Sequence, residues 1–162
     1  MTLLDARGTR VDTIDSTTGT SLGSLSLPGG LSIRAVAPRG SAVALMPVDG
    51  ASADAYTPAS RSTTVITVVE AESDLEVTHR LDGNLEPEIF STDGDMLFLL
   101  EYWPPLEPDR YFMRQLDVAS GEIADVHSPE VDLQPEMRGT ARAQAMDPGG
   151  ATRWSPTCGR RS

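Results

Sequence analysis

Ile89-Phe-Ser91-Thr-Asp93-Gly94-Asp-Met96-Leu-Phe98-Leu-Leu100 is two apolar runs joined by a polar turn. Asp-Gly between apolar runs marks a tight reversal. Glycine takes positive φ without a Cβ clash, and aspartate bonds to nearby backbone. Both runs are short for helices and suit a pair of antiparallel strands. The same form occurs upstream in Ala35-Val-Ala37-Pro-Arg-Gly40-Ser-Ala-Val43-Ala-Leu45. A weaker copy lies downstream in Ala145-Met-Asp147-Pro-Gly-Gly150-Ala-Thr-Arg153-Trp154. Gly40, Gly94 and Gly150 fall 54 and 56 residues apart.

A second turn alternates with the first: Ile14-Asp15…Gly19, Val69-Glu70…Asp74 and Leu116-Asp117…Gly121, with Asp74 at the glycine position of the middle copy. The run Thr63-Thr-Val65-Ile-Thr-Val68-Val69 is β-branched throughout, which suits a pleated surface. Tyr111–Val118 is a further strand with partial alternation. The 12 prolines and 14 glycines leave little room for long helices. The repeating unit is therefore strand, Asp-Gly-like turn, strand, variable loop, strand, Asp-x-x-x-Gly-like turn, strand. Four antiparallel strands at this period are what one β-propeller blade requires.

The Ser-x-Asp-Gly turn with its apolar strand, followed by Leu-Asp-x-x-(Thr/Ser)-Gly, resembles the WD40-like and YVTN-type propellers of bacteria, whose superfamily includes lactonase-like and TolB-like members. The resemblance covers residues 9 to 154, and its motifs describe a blade rather than an activity. The Trp-Asp dipeptide of eukaryotic WD40 repeats is absent.

The expected fold class is all-β, with about three blades' worth of four-stranded blades in an incomplete ring spanning 1–155. Residues 9–28 form a half blade of two outer strands, 31–82 and 85–127 form two blades, and 140–155 begin another. Residues 156–162 form an irregular tail. A β-sandwich built from the same hairpins is the alternative arrangement, and a mixed fold the third. Three blades fall short of the four that a closed propeller needs. The sequence thus points to a truncated reading frame or to several chains assembling one ring through exposed blade faces.

Composition narrows the function classes. Lys and Arg total 13 against 24 Asp and Glu, a formal charge of −11, which repels phosphate backbones and makes nucleic acid an unexpected partner. The one cysteine, Cys158, cannot form an internal disulfide or a cysteine metal site. The opening Met1-Thr-Leu-Leu-Asp5-Ala-Arg7 lacks the basic start and long apolar core of a secretory signal, so as written the chain is expected in the cytoplasm. No apolar stretch is long enough to span a bilayer.

In a propeller, the loops joining second to third strands, and one blade to the next, share one face. Here those loops are 49–62, 82–85, 101–110 and 128–139. They carry Asp49, Asp54, Asp82, Glu101, Glu107, Asp109, Glu130, Asp132 and Glu136. Glu86 and Glu88 flank Pro87 at the start of an inner strand, and by a period of two they face the same way. Lactonase-like propellers hold a metal with carboxylates near the channel, so the resemblance implies that Glu86 and Glu88 could form part of a divalent-cation site. Such ions need six or more converging oxygens, and solvated acidic loops are the plainer reading. Tyr102-Trp103-Pro104-Pro105-Leu106-Glu107-Pro108-Asp109-Arg110 is a proline-stiffened aromatic loop. Glu86, Glu88, Tyr102, Trp103 and Asp109 are the candidate ligand-binding rim. Alternatively, Tyr102 and Trp103 merely finish their strand and pack on a neighbouring blade.

His79 and His127 lack a second His or Cys at ligand spacing, and no Gly-x-Ser-x-Gly elbow occurs. The glycine-rich Leu27-Pro28-Gly29-Gly30-Leu31 leads into a strand rather than a phosphate-binding helix. No catalytic residue or resident cofactor is assigned. The expected function is a non-catalytic scaffold for a peptide, polysaccharide or protein. The alternatives are a remnant of a lactonase-like metal-dependent hydrolase, or a fragment without independent function.

Overall fold

The computed structural model describes residues 2–5, 8–48, 59–71, 76–126, 137–138, 145–146 and 152–153. Every regular element among them is a strand, apart from one 3-10 turn at Pro38–Gly40. Strands β1 (Thr2–Asp5), β2 (Gly8–Ile14) and β3 (Ser21–Pro28) form sheet 1. Strands β4 (Leu31–Val36), β5 (Ala42–Pro47), β6 (Thr63–Glu70) and β7 (Glu76–Asp82) form sheet 2 in chain order. Sheet 3 repeats that order with β8 (Asn84–Phe90), β9 (Met96–Trp103), β10 (Arg110–Asp117) and β11 (Ile123–Asp125). Strand β12 (Met137–Arg138) also pairs with β10, and β13 (Ala145–Met146) pairs with β14 (Thr152–Arg153) as a hairpin. All pairings are antiparallel, and no closed ring is present among the described residues. Sheet 1 differs from the sequence expectation by one strand. Thr2–Asp5 pairs with β2, where only two strands were expected.

The turns repeat atom for atom. In the first type, Ala37 N–H donates to Ala42 O at 2.8 Å and Gly40 N–H to Ala37 O at 2.9 Å. Ser91 N–H to Met96 O and Gly94 N–H to Ser91 O, at 2.8 and 3.1 Å, are their counterparts. Gly40 and Gly94 both have positive φ, 73° and 88°, which a side chain would resist. In the second type, the amides of Thr17 and Thr18 donate to the Asp15 carboxylate, as Ser120 N–H does to Asp117. These bonds hold the Asp15 and Asp117 carboxyls below the ordinary value of 3.8. Asp74 lies outside the described residues.

Two further devices recur. The β4–β5 register shifts between Ile33 and Ala35, and the β8–β9 register between Pro87 and Ile89, so a bulge falls at Arg34 and again at Glu88. The Thr9 hydroxyl of β2 accepts from Leu31 N–H at 2.6 Å and donates to Gly29 O at 2.9 Å. Likewise, the Thr64 hydroxyl of β6 accepts from Leu85 N–H at 2.9 Å and donates to Gly83 O at 2.8 Å. Each buried threonine thus ties one sheet to the first strand of the next.

Strand alternation puts apolar side chains on both faces of sheet 2. Ala44, Met46 and Val68 face sheet 3, where they pack with Leu85, Phe90, Leu97, Leu99 and Leu116. Leu45 and Val69, one residue out of phase, turn to sheet 1 and pack with Leu27, Val11 and Leu25. Sheet 2 is therefore the middle layer of a stack of three. His79 on β7 adds a tether at the outer side, its Nε2 lying 2.8 Å from Val118 O of sheet 3.

Candidate functional site

The candidate rim gathers where β8 begins and β9 ends. Asn84 stands directly opposite Tyr102, and Glu86 opposite Leu100. Cross-strand pairs share a face, so these four residues lie together. Tyr102 and Tyr111 of β10 are also opposite each other, with ring centroids 5.9 Å apart. Leu100, Tyr102 and Tyr111 form a small buried cluster on the face of sheet 3 away from sheet 2. Burial, reinforced by the Glu88 and Glu86 carboxylates, pushes the Tyr102 phenol well above its usual pKa of 10.0. Both carboxylates therefore act on the same ring from either side of Pro87.

Arg61, just before β6, reaches across to this strand. Its guanidinium pairs with the Glu86 carboxylate, both side chains being largely buried. Arg61 N–H donates to Pro105 O at 3.2 Å, and the Asn84 side-chain amide donates to the same carbonyl at 3.1 Å and to Ala59 O. The loop 103–109 is closed on itself by Asp109 N–H donating to Trp103 O at 3.0 Å. The Trp103–Pro104 peptide is cis.

The five rim candidates separate by depth. Tyr102 is buried beneath the rim, while Trp103, the next residue along the strand, is 46% exposed and turns to the opposite face. Leu106 at the loop tip is 60% exposed. Asp109 is exposed beside Arg110, at 3.2 Å. Glu86 is largely buried in its ion pair, and Glu88 sits at the bulge. Sequence reasoning missed Arg61 and Asn84, which fasten the loop from below. The repeat offered a signal for the neighbouring clamp, because Thr9 and Thr64 recur at close to the spacing of the turn glycines.

Elsewhere, Glu101 accepts from Arg114 at 2.6 Å, and Arg114 also pairs with Asp125. That network crosses β9, β10 and β11. Among the described residues no group of three or more His, Cys, Asp or Glu converges as metal ligands would. Asp49, Asp54, Glu130, Asp132, Glu136, His127 and Cys158 lie outside the described residues. No helix is long and apolar enough to cross a membrane.

No family model matches this chain, and no curated protein matches it. Among solved structures, hydrazine synthase from Kuenenia stuttgartiensis is similar at 16% identity and a TM-score of 0.37. The match covers 93% of this chain and 52% of that one. The chain thus spans about half the length of that protein, and a likeness this low assigns neither fold nor chemistry.

Proposed function

We propose that this chain is a segment of a β-propeller of the bacterial WD40-like kind, acting as a non-catalytic binding scaffold whose contact surface is the loop 103–109. Support for the propeller comes from the repeated unit. The two four-stranded meanders share the Gly40/Gly94 turn and the bulge, the Asp15/Asp117 turn and the Thr9/Thr64 clamp recur between sheets, and sheet 2 packs between sheets 1 and 3. One observation carries the binding role. Trp103 and Leu106 are held out to solvent by a loop fastened at its base through Asn84, Arg61 and Asp109. An apolar pair fixed before binding loses little entropy on contact. Glu107 and Asp109 border it on a chain of charge −11, so the fitting partner is a peptide or protein segment offering apolar and basic side chains.

The metal-dependent alternative loses support at Glu86, whose carboxylate already accepts from the Arg61 guanidinium. A cation there would have to displace a fixed positive charge.

A displayed peptide library tests the reading. Peptides selected by the wild-type chain should be enriched in basic and aromatic residues, and should lose at least tenfold in affinity against Trp103→Ala with Leu106→Ser. Selected peptides that bind the double variant equally well would remove the loop from the contact surface.

A further inference from the structure

A strand at the edge of a sheet offers unpaired backbone groups to other chains, and proteins blunt such edges with charge, proline, bulges or brevity. Strand β7 carries the exposed charges Glu76, Arg80 and Asp82. Strand β8 carries Pro87 and a bulge at Glu88, and β4 a bulge at Arg34. The edge strands β1 and β11 are four and three residues long. Strand β3 differs from all of these. Ser21-Leu-Gly-Ser-Leu-Ser-Leu-Pro28 is eight residues without a charge, and among the described residues it pairs with β2 and no other strand. Its register shift falls at Leu22, near the start, so residues 23–27 contain neither bulge nor proline. Leu22 is 67% exposed, and Ser24 and Ser26 are exposed beside it.

What fits this edge is set by its pattern. Leu25 and Leu27 face sheet 2, where they pack with Leu45 and Val69, so Ser24 and Ser26 stand on the opposite face. The nearest charges on that face, Arg10 and Asp12 of β2, neutralise each other at 2.8 Å. A chain of charge −11 repels its own copy, and does so least where both approaching surfaces are neutral. Antiparallel pairing about a two-fold axis also keeps each face on its own side. Serine then meets serine, and leucine meets leucine or glycine, so the segment is its own complement. We infer that β3 pairs antiparallel with β3 of a second copy, joining the two copies of sheet 1 into one continuous sheet. Backbone hydrogen bonds across the new pair supply the affinity, as in other strand additions. A two-fold contact of this kind consumes the edge on both copies and closes at a dimer rather than a fibre. Within the propeller reading β3 is an outer strand, so the contact is lateral and independent of the number of blades.

Charge swapping tests it, because like charges set opposite each other across a strand pair are destabilising. One variant carries Ser24→Lys with Ser26→Lys, the other Ser24→Glu with Ser26→Glu. Wild type should sediment at twice the 17.3 kDa chain mass, and each variant alone as a monomer with an unchanged β circular dichroism spectrum. Mixed, the two variants should recover a dimer, because the lysines of one meet the glutamates of the other. Hydrogen exchange of the β3 amides should be slower in the wild-type dimer than in either variant. Ser26→Lys and Ser26→Glu serve alone if a double variant does not fold. A wild-type monomer at all concentrations overturns the inference. So does a dimer that survives both charged edges, or variants that stay monomeric when mixed. Selected peptides that bind a monomeric wild type and are lost on charging β3 would give the edge to an extended peptide instead of a second copy. The Trp103 and Leu106 substitutions leave β3 unchanged, so the binding role of their loop is read separately.

Discussion

The two sheet junctions are built from the same repeat but are filled differently. Between sheets 2 and 3, Phe90 is wholly buried under inner-strand alanines. Between sheets 1 and 2, Val36 at the corresponding position is half open to solvent. Where the chain passes from one sheet to the next the two junctions are alike, with Leu27 and Leu31 buried in one and Leu81 and Leu85 in the other. The difference teaches that burial is decided at the junction between sheets rather than by the pairing within one. Sheet 2 is finished on one side and open on the other with no change in its own pairing.

The largest effect should come from the filled junction. Phe90→Ala is expected to cost about 3–5 kcal/mol by removing a fully buried ring, whereas Val36→Ala should cost under about 0.5 kcal/mol. Urea unfolding of the two variants measures the contrast, and equal losses would mean that Val36 is covered in solution. Next come the clamps. Thr64→Val leaves the Leu85 N–H without its acceptor, and about 1–3 kcal/mol is expected. Thr9→Val should match it, because the threonine clamp is common to both junctions, and a much smaller loss there would make sheet 1 the looser attachment.

The paired glycines refine the picture further. Gly19 and Gly121 have the same positive φ, 72° and 78°, yet an added Cβ meets nothing at Gly19 and lies 2.6 Å from His79 Nδ1 at Gly121. Gly19→Ala should cost about 1–2 kcal/mol from backbone strain alone. Gly121→Ala should cost more, and His79→Ala should recover the excess in a double-mutant cycle. Additive losses would place the histidine elsewhere in solution.

The smallest effect concerns pH. Asp15, Asp93 and Asp117 have carboxyls lowered by hydrogen bonds in their turns. Their contribution is complete above the ordinary value of 3.8 and is lost as pH falls through the lower folded values. Stability should therefore be flat for these groups between pH 7 and 5 and decline only below about pH 4. Asp117→Asn should flatten that acid limb, as followed by thermal melting.

What the sequence disclosed follows from the range of the forces involved. The all-β class and the turns at Gly40, Gly94, Gly19 and Gly121 were legible, because apolar spacing and glycine's φ act within a few residues. The bulge at Glu88 was not, because it depends on register against β9 and interrupts the period of two that aligned Glu86 with Glu88. The Arg61–Glu86 pair was also hidden, since it joins residues 25 apart through a loop with no pattern of its own. Tyr102 and Trp103 are neighbours in a single aromatic motif, yet one is buried and the other exposed. Their division became visible only once the opposing strand fixed which face was inside.

The link from sheet 2 to sheet 3 is one residue long. Gly83 alone separates Asp82 from the buried Asn84, and its carbonyl is fastened to Thr64. A chain cut at that point would release the clamp along with the covalent bond, so the repeat cannot be handled as a cassette excised between sheets. A cut between the second and third strands of sheet 2, by contrast, crosses neither threonine clamp. In the arithmetic of duplication and permutation, the unit that can be copied intact is offset by half a sheet from the unit the eye picks out.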